Sequence, residues 1–424
     1  MIFFILLFVI FPTYGAEIEH THSERSQHIH GSHRECPLPK QQKDIISCAI
    51  EFHPLIQQAK YTVESSKSLE GEALQLPNPE IVTRYLKGGV EGNDTAELEA
   101  SLKFRLELGG KRQARVDFAK EEYELSKLSL NERQVEVKTR TIISLYRLKQ
   151  IFEEKKLIIK SIGAYEDVIL KFKKIPKLTA EQEASLTLFE IALEETKILL
   201  SEVFEERKRL EHFFHIATGN SLEEIEPFLP MIPQQWPAVE KQKHKDTSAR
   251  ILKLKSLSNS ALAKMEVENS KAWPDLDIGP AYNLEKNSEG VSHEMIGVSL
   301  SLPLPLFHFN DGAKAWAKSE YLKAKKTVQL IHASESHERF EQLQVYESTV
   351  RTLKSSLSLH KIMKKHHRLE KLYSRGVVSN QAYLDSLKPK FNYIQRKNKR
   401  VMTALKSLWN IYKLDGKVMT KDIL

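Results

Sequence analysis

Strict alternation of apolar and polar residues marks two segments of the chain. From residue 98 to 108 the even positions are apolar, and the odd positions carry Glu, Ser, Lys or Arg. Residues 296–304 again have Ile, Val or Leu at every even position. A period of two predicts β-strands with one apolar and one polar face, and about eleven residues is the length a tilted strand needs to cross a membrane. The predicted strands are 80–86, 98–108, 276–285 and 295–304, which form two hairpins, 80–108 and 276–304.

A charged pattern with sparse, regular apolar positions fills most of the remaining chain and predicts long helices. The run from 111 to about 173 reaches roughly 90 Å at about 1.5 Å per residue, more than a globular domain needs. A matching helix is predicted from about 313 to 374, and a shorter one at 45–76. Helices this long are stabilised by packing side by side, as in coiled coils.

The order of these elements occurs twice. A helix, the hairpin 80–108 and the helix pair 110–217 form a first repeat, 45–225. A helix, the hairpin 276–304 and the helix pair 312–414 form a second, 238–415, after a Pro-rich linker at 226–237. Fixed-period similarity of this kind is typical of duplication. The predicted fold class is mainly α with a β-barrel part.

The four predicted strands cannot close a barrel alone. Open edges in lipid would leave backbone groups unpaired at several kcal/mol each, so membrane-spanning strands require association of copies. Three copies would supply twelve strands, within the range of outer-membrane barrels. The alternative is a soluble hairpin with one face on a core. The predicted export of the chain and the shortage of other core-forming segments favour the membrane interpretation.

The N-terminus predicts export. Residues 2–11 are nearly all Ile, Leu, Phe and Val, a run that is too short to span a bilayer and typical of a signal peptide, here 1–15. No Cys lies directly after the cleavage point, so a lipid anchor is not predicted. Past residue 20, no stretch is apolar enough for a membrane-spanning helix.

A His-rich segment at 16–44 has no apolar period and is predicted to lack fixed structure. Its imidazoles suit weak, exchangeable capture of Zn, Cu or Co; the alternative is a polar tail that happens to be His-rich. The candidate ligands are His20, His22, His28, His30 and His33. No resident cofactor is predicted. Cys36 and Cys48 form at most one bridge, in an oxidising compartment.

Composition narrows the function further. Hydrophobic residues make up 41% and charged residues 28%, with 64 Lys and Arg against 56 Asp and Glu, for a formal charge of +8. This mixture is typical of solvated helix faces rather than of nucleic-acid binding. The sequence contains no phosphate loop, nucleophile elbow or zinc-protease motif, so the chain is predicted not to be an enzyme.

Several motifs in this order resemble the TolC-like outer-membrane efflux proteins, over about residues 45–415. Leu-Pro-Asn-Pro at 76–79 and Leu-Glu-Leu-Gly-Gly-Lys-Arg at 106–112 resemble the first hairpin of the family, particularly of its heavy-metal branch (cobalt-zinc-cadmium or copper). Pro-Leu-Pro-Leu-Phe-His-Phe-Asn-Asp-Gly at 303–312 resembles the second corner. The resemblance implies a homotrimer in outer-membrane lipid, with a twelve-stranded barrel and a periplasmic helical barrel.

The resemblance also implies a role: a passive exit duct for an inner-membrane resistance-nodulation-division pump, coupled through a periplasmic adaptor. The two helix–helix turns would meet the adaptor. Their residues are Ile175, Pro176, Lys177, Leu178 and Thr179 in the first and Gly376, Val377, Val378 and Ser379 in the second. Asp385 matches one acidic ring of the family's pore constriction, and Ala382 stands where another would be. Pro176 replaces a common Gly.

The sequence leaves alternatives open for the role of Asp385, for three histidines, for the function of the chain and for its cargo. Asp385 can be an ordinary carboxylate near a helix N-terminus, and His360, His366 and His367 near the second turn are interpreted as solvated rather than metal-binding. The chain can instead be a periplasmic coiled-coil scaffold or adaptor, although no lipoyl-like module is evident. The cargo of a duct can be metal cations, organic compounds or polypeptides.

Overall fold

The computed structural model describes residues 36–90, 93–241, 247–287 and 290–423. The predicted signal peptide at 1–15 and the five N-terminal histidines lie outside these residues. The first described residue, Cys36, is joined by a disulfide to Cys48, with 5.9 Å between their Cα atoms. The bridge ties the start of the described chain to the first helix, and it settles the pairing that the sequence left open.

Four strands form one antiparallel sheet in the order β1-β2-β3-β4. They are β1 Glu80–Val90, β2 Asn93–Leu106, β3 Leu276–Lys286 and β4 Ser292–Ser301. β1 and β2 extend beyond the predicted strand ends at 86 and 98, because they stay paired as far as Val90 opposite Asn93. The predicted end of the last strand at 304 is also wrong. β4 stops at Ser301, before Pro303, which has no backbone N–H to donate to a sheet.

One face of this sheet is apolar and uncovered. Ile296 is 87% exposed, Val298 73% and Leu300 65%. Burying such a side chain is worth about 1.5–3 kcal/mol, and the described chain leaves them bare. Among the described residues, this face of the sheet therefore does not rest on a core.

Ten α-helices are described. They are α1 Gln42–Phe52, α2 Pro54–Leu74, α3 Lys111–Lys173, α4 Ala180–Thr218, α5 Leu222–Ile225, α6 Ala249–Ser270, α7 Asp311–Ser355, α8 Leu359–Ser374, α9 Asn380–Asp385 and α10 Leu387–Leu414. Short 3₁₀ turns lie at Glu226–Phe228 and Val418–Thr420. Across these residues, none of the helices combines the length and the apolar character that crossing a bilayer requires.

Two helices predicted to be continuous are broken. The predicted helix 45–76 is two helices, because Pro54 disfavours helical geometry at His53 (φ −55°, ψ 131°). The predicted helix 313–374 is interrupted between Ser355 and Leu359. The Ser356 and Ser358 hydroxyls bond to nearby backbone there, to the Leu353 carbonyl at 2.9 Å and the Lys361 N–H at 3.2 Å, which competes with helix continuation.

The helices continue from the sheet and together form what we call the helical wall. Its half beside the sheet contains α2, α3, α6 and α7. Its half farther from the sheet contains α4, α3, α10, α7 and α8, so α3 and α7 belong to both halves. α2, α3, α6 and α7 pack on each other in that order, which is also the order of the strands that they adjoin. In the far half, α4 packs on α3, α3 on α10, and α10 on α7 and α8. The main core lies between these halves, around Tyr146, Phe214 and Trp409.

The junction of sheet and helices is tightly built. Gly109 has φ +69°, and a Cβ there would lie 2.4–2.6 Å from atoms of Trp273, so a larger residue would collide. Lys111 Nζ lies 2.5 Å from Asp275 Oδ1, and the Arg115 guanidinium pairs with the Glu107 carboxylate. These contacts fix the hairpins on the wall.

Candidate functional site

The end of the wall far from the sheet contains two helix–helix turns, the first tip at 174–179 and the second tip at 375–379. At the first tip, Lys174 is the C-cap of α3 and Thr179 is the N-cap of α4. The Thr179 hydroxyl accepts the Gln182 N–H at 3.3 Å, and the Gln182 side-chain oxygen accepts the Thr179 N–H at 3.0 Å. This capping box closes the turn around exposed residues 175–177.

The second tip closes through glycine. Gly376 adopts φ +73°; its N–H donates to the Tyr373 carbonyl at 2.9 Å, and the Val377 N–H donates to the Leu372 carbonyl at 3.0 Å. This is a Schellman motif, which requires a left-handed residue. Ser379 caps α9 by accepting the Ala382 N–H at 3.2 Å. Val377, 70% exposed, projects from the turn.

Both tips share one core. The Lys171 ammonium lies 3.4 Å from the Tyr373 hydroxyl, across the two turns. The Tyr373 and Tyr383 rings stack at 4.3 Å. The apolar residues that join the two helix pairs are Tyr165, Val168, Ile169, Phe189, Leu193, Tyr383, Leu384 and Leu387. The structure thus brings together the two predicted turns, which are about 200 residues apart in sequence.

Asp385 lies at the last position of α9 and is exposed. Its two carboxylate oxygens accept hydrogen bonds from Gln381 Nε2 at 3.2 and 3.1 Å. Burial first, and then the negative charge of Asp385, raise the pKa of the Tyr165 hydroxyl. Asp385 therefore lies at the margin of the tip core. Its predicted place in an acidic ring requires several copies and stays a prediction.

A buried polar cluster beside the second tip was not predicted. The Glu370 carboxylate lies 2.7 Å from Lys160 Nζ and 3.2 Å from His366 Nε2. His366 is buried, so the interpretation of it as solvated is wrong. Burial lowers the pKa of His366 to about 4, and nearby Lys390 adds to this effect. The apolar spacing of residues 359, 362, 366, 369 and 373 is the sequence signal that places this histidine on the inner face of α8.

Lys390 completes this cluster. Burial lowers the pKa of Lys390 to about 8. Burial alone would raise the pKa of Glu370, but hydrogen bonds from Lys160 and His367 outweigh it, so the pKa of Glu370 is lowered. Within the described ranges, no group of three or more His, Cys, Asp or Glu side chains is arranged to hold a metal ion. The cluster joins α3, α8 and α10 electrostatically.

The fold resembles solved outer-membrane channels. The Campylobacter jejuni CmeC outer membrane channel matches with a TM-score of 0.67 and 14% identity, over 90% of this chain and 87% of that one. The open state of the Neisseria gonorrhoeae MtrE outer membrane channel matches with a TM-score of 0.66 and 14% identity, over 90% of both chains. CusC, whose structures describe conformational changes during folding and transmembrane channel formation, matches with a TM-score of 0.64 and 13% identity, over 89% of this chain and 92% of that one.

No protein-family profile matches the chain, and no curated protein sequence does. The structural similarity shows the fold, that of the TolC-like channels with long helices and a small antiparallel sheet, and it confirms the predicted fold class. The neighbouring structures are TolC-family outer-membrane efflux channels, and none of them is described as an enzyme.

Proposed function

We propose that this protein is an outer-membrane efflux duct, in which three copies form a twelve-stranded barrel in lipid and extend helices into the periplasm. One observation carries the proposal: an uncovered apolar sheet with open edges at β1 and β4, in a chain whose fold matches channels over about 90% of its length. Lipid would cover the apolar face, and neighbouring copies would pair the edges.

The disulfide supports the proposed compartment. Disulfides persist in oxidising environments such as the periplasm and are rare in the cytosol. Cys36 is 1% exposed and Cys48 7%, so the bridge is part of the packed structure. With the predicted signal peptide, this favours export of the chain.

The two tips are the proposed docking sites for a periplasmic adaptor, which would couple the duct to an inner-membrane resistance-nodulation-division pump. In support, both tips expose apolar residues such as Ile175 and Val377. The protein itself would be passive. Its opening would require the helices to shift apart at the tips, where three copies of Asp385 would narrow the pore.

The proposed cargo is heavy-metal cations. The hairpin motifs that resemble the metal branch support this, as does the His-rich N-terminal segment. A duct needs only weak, exchangeable contacts with its cargo.

The cargo proposal is tested by deleting residues 17–33, which spares Cys36 and its bridge, and measuring zinc, copper and cobalt tolerance. Unchanged tolerance to all three would refute a role for the segment, while loss of the whole gene with unchanged metal tolerance would favour organic compounds or polypeptides as cargo.

Two measurements test the duct itself. The protein should fractionate with outer membranes as a heat-labile trimer, and the purified protein should give discrete single-channel currents in a planar bilayer. Recovery as a water-soluble species without conductance would instead support the coiled-coil scaffold.

A further inference from the structure

A cavity of about 160 Å³ lies between α3, α4 and α10 in the far half of the helical wall. One face of each helix lines it, because the lining residues of each helix recur at the three- and four-residue spacings that place side chains on the same side. The helix pair that makes the first tip therefore meets the last helix of the second pair around this space. The lining positions are 158, 161 and 165 on α3, 192, 195, 196 and 199 on α4, and 387, 388, 391 and 392 on α10.

The cavity interrupts the apolar core of the wall. Tyr165 and Leu387 belong to the apolar cluster at the tips, whereas Ile158 and Phe391 belong to the next cluster along the same helices. All four side chains are at least nine-tenths buried. Protein interiors are normally close-packed, so the side chains around a gap of this size lose contacts that a bound molecule would restore.

The lining suits an apolar molecule better than water. Small side chains at Ser161 and Ala192 leave the gap open. The Ser161 hydroxyl donates to the Leu157 carbonyl at 3.0 Å, and the Thr196 hydroxyl donates to the Ala192 carbonyl at 2.7 Å, so neither proton is available to a trapped water, which needs two to four polar partners. An apolar cavity of about 150 Å³ binds benzene instead, which sets the size of the ligand at one aromatic ring.

One polar group of the lining has no partner. Tyr165 is 4% exposed, and within the described part of the chain its hydroxyl makes no hydrogen bond, although the hydroxyl of a buried tyrosine usually has one. Burial first, and then the negative charges of Asp385 and Glu195, raise the pKa of this hydroxyl. It therefore keeps its proton at neutral pH and is free to donate it to a ligand.

An exposed ion pair joins two of the helices at the rim of the cavity. Lys388 Nζ on α10 lies 2.7 Å from Glu195 Oε2 on α4, and the two side chains are 59% and 50% exposed. Such a pair contributes little to stability, so it can open and admit a molecule. A charged ligand would lose its hydration in the apolar interior behind the pair, which favours an uncharged one.

We propose that this cavity is a binding site for one small, uncharged aromatic molecule that carries a single polar group, of the size and chemistry of phenol. Its ring would fill the gap between the two apolar clusters, and its oxygen would accept a hydrogen bond from the Tyr165 hydroxyl. Because the ligand would contact all three helices, it would stabilise their present packing over any arrangement in which they separate. The site belongs to a single chain and does not depend on the proposed duct.

Titration of the purified protein with phenol tests the site. We expect saturable binding of one phenol per chain with a Kd of roughly 0.1–1 mM, as for other ligands of so few atoms. At about three times that concentration, exchange of the backbone amides of α4 and α10 beside the cavity should slow about fourfold, whereas exchange in α2 should not change. Benzoate, which has the same ring and a negative charge, should not bind.

Three variants locate the binding. Ala192→Leu adds three carbons to the lining and should weaken phenol binding at least about tenfold by filling the gap. Ala184→Leu makes the same change at an exposed position of α4 and should leave the Kd within about twofold. Tyr165→Phe should weaken phenol binding roughly three- to tenfold through loss of one hydrogen bond, and should leave benzene binding unchanged.

Two results would overturn the site: wild-type protein that binds neither phenol nor benzene saturably, or phenol binding that Ala192→Leu leaves unchanged. If Ala192→Leu loses its helical signal, the comparison of phenol with benzene in Tyr165→Phe decides, and an equal loss for both ligands would contradict the assigned hydrogen bond. Slower exchange over the whole wall would mean general stabilisation and would also count against the site. Absence of channel conductance would count against the proposed function alone.

Discussion

The two helix pairs that meet at the tips are built differently although they occupy equivalent positions in the chain. In the first, α3 runs unbroken for 63 residues and α4 for 39. In the second, breaks at 356–358 and at Ser386, in addition to the tip at 375–379, divide the chain into α7, α8, α9 and α10. The first pair is thus a rod, and the second is a jointed arm whose end segment is held by contacts with its neighbours.

The joint at 356–358 is stabilised from outside its own helix. The Leu357 carbonyl accepts hydrogen bonds from the Tyr393 hydroxyl at 2.8 Å and from Lys397 Nζ at 2.5 Å, both on α10. An unpaired carbonyl left by a broken helix is thereby satisfied. If the tip opens by movement of one element, this difference indicates α8 rather than α3.

The largest expected effect concerns the rod. Arg147 of α3 bonds to Glu154, which is 1% exposed, at 3.1 Å, and to Glu206 of α4 at 2.6 Å. Arg147→Ala would leave the buried Glu154 carboxylate without a cationic partner, with only the Asn398 amide still donating to it, and should destabilise the fold by about 3–5 kcal/mol. Denaturant unfolding followed by helical signal measures this. Arg133→Ala, which breaks an exposed pair with Glu136, should cost under about 1 kcal/mol; equal losses in both variants would contradict the account of the rod.

The second effect concerns the arm and is pH-dependent. The pKa of His366 is about 4 in the fold, below its ordinary value of 6.5. Between these values the unfolded chain binds more protons than the folded one, so stability rises with pH in this window. Lowering the pH from 7 to 4 should cost about 3 kcal/mol through this group.

Amide hydrogen exchange in α8 across that pH range reports the loss. His366→Gln should remove most of the His366-dependent slope, whereas His360→Gln, at an exposed position of the same helix, should keep it. The same slope in both variants would show that other groups control the acid response.

Sequence reasoning reached the hairpins, the helix pairs and the position of both tips because these depend on local signals. Alternation marked the strands, and Pro176 and Gly376 marked the turns. The joint at 356–358 depends instead on Tyr393, which is distant in sequence. The burial of His366 was readable from its helical spacing, but its partners Lys160 and Lys390 come from other helices.

Loss of one hydrogen bond at the joint should loosen α8 and leave α3 unchanged. Tyr393→Phe removes one of two donors to the Leu357 carbonyl and should cost about 1 kcal/mol. Exchange of the backbone amides of α8 should then become roughly fivefold faster, with no change in α3. Tyr61→Phe on α2, at a side chain that is 70% exposed, is the control. Faster exchange throughout the wall would indicate general destabilisation rather than a joint.

The smallest expected effect comes from the same substitution, Gly to Ala, made once in the rod and once in the arm. Gly376 has φ +73° and Gly163 lies inside α3, and a Cβ added at either would meet no atom within 4 Å. Gly376→Ala should therefore cost about 1 kcal/mol through backbone strain alone, whereas Gly163→Ala should stabilise α3 by up to about 1 kcal/mol by lowering the entropy of the unfolded chain. Opposite shifts in the denaturant midpoint are expected. Shifts of the same sign would mean that the second tip does not depend on its left-handed residue, and the arm would then be no more specialised than the rod.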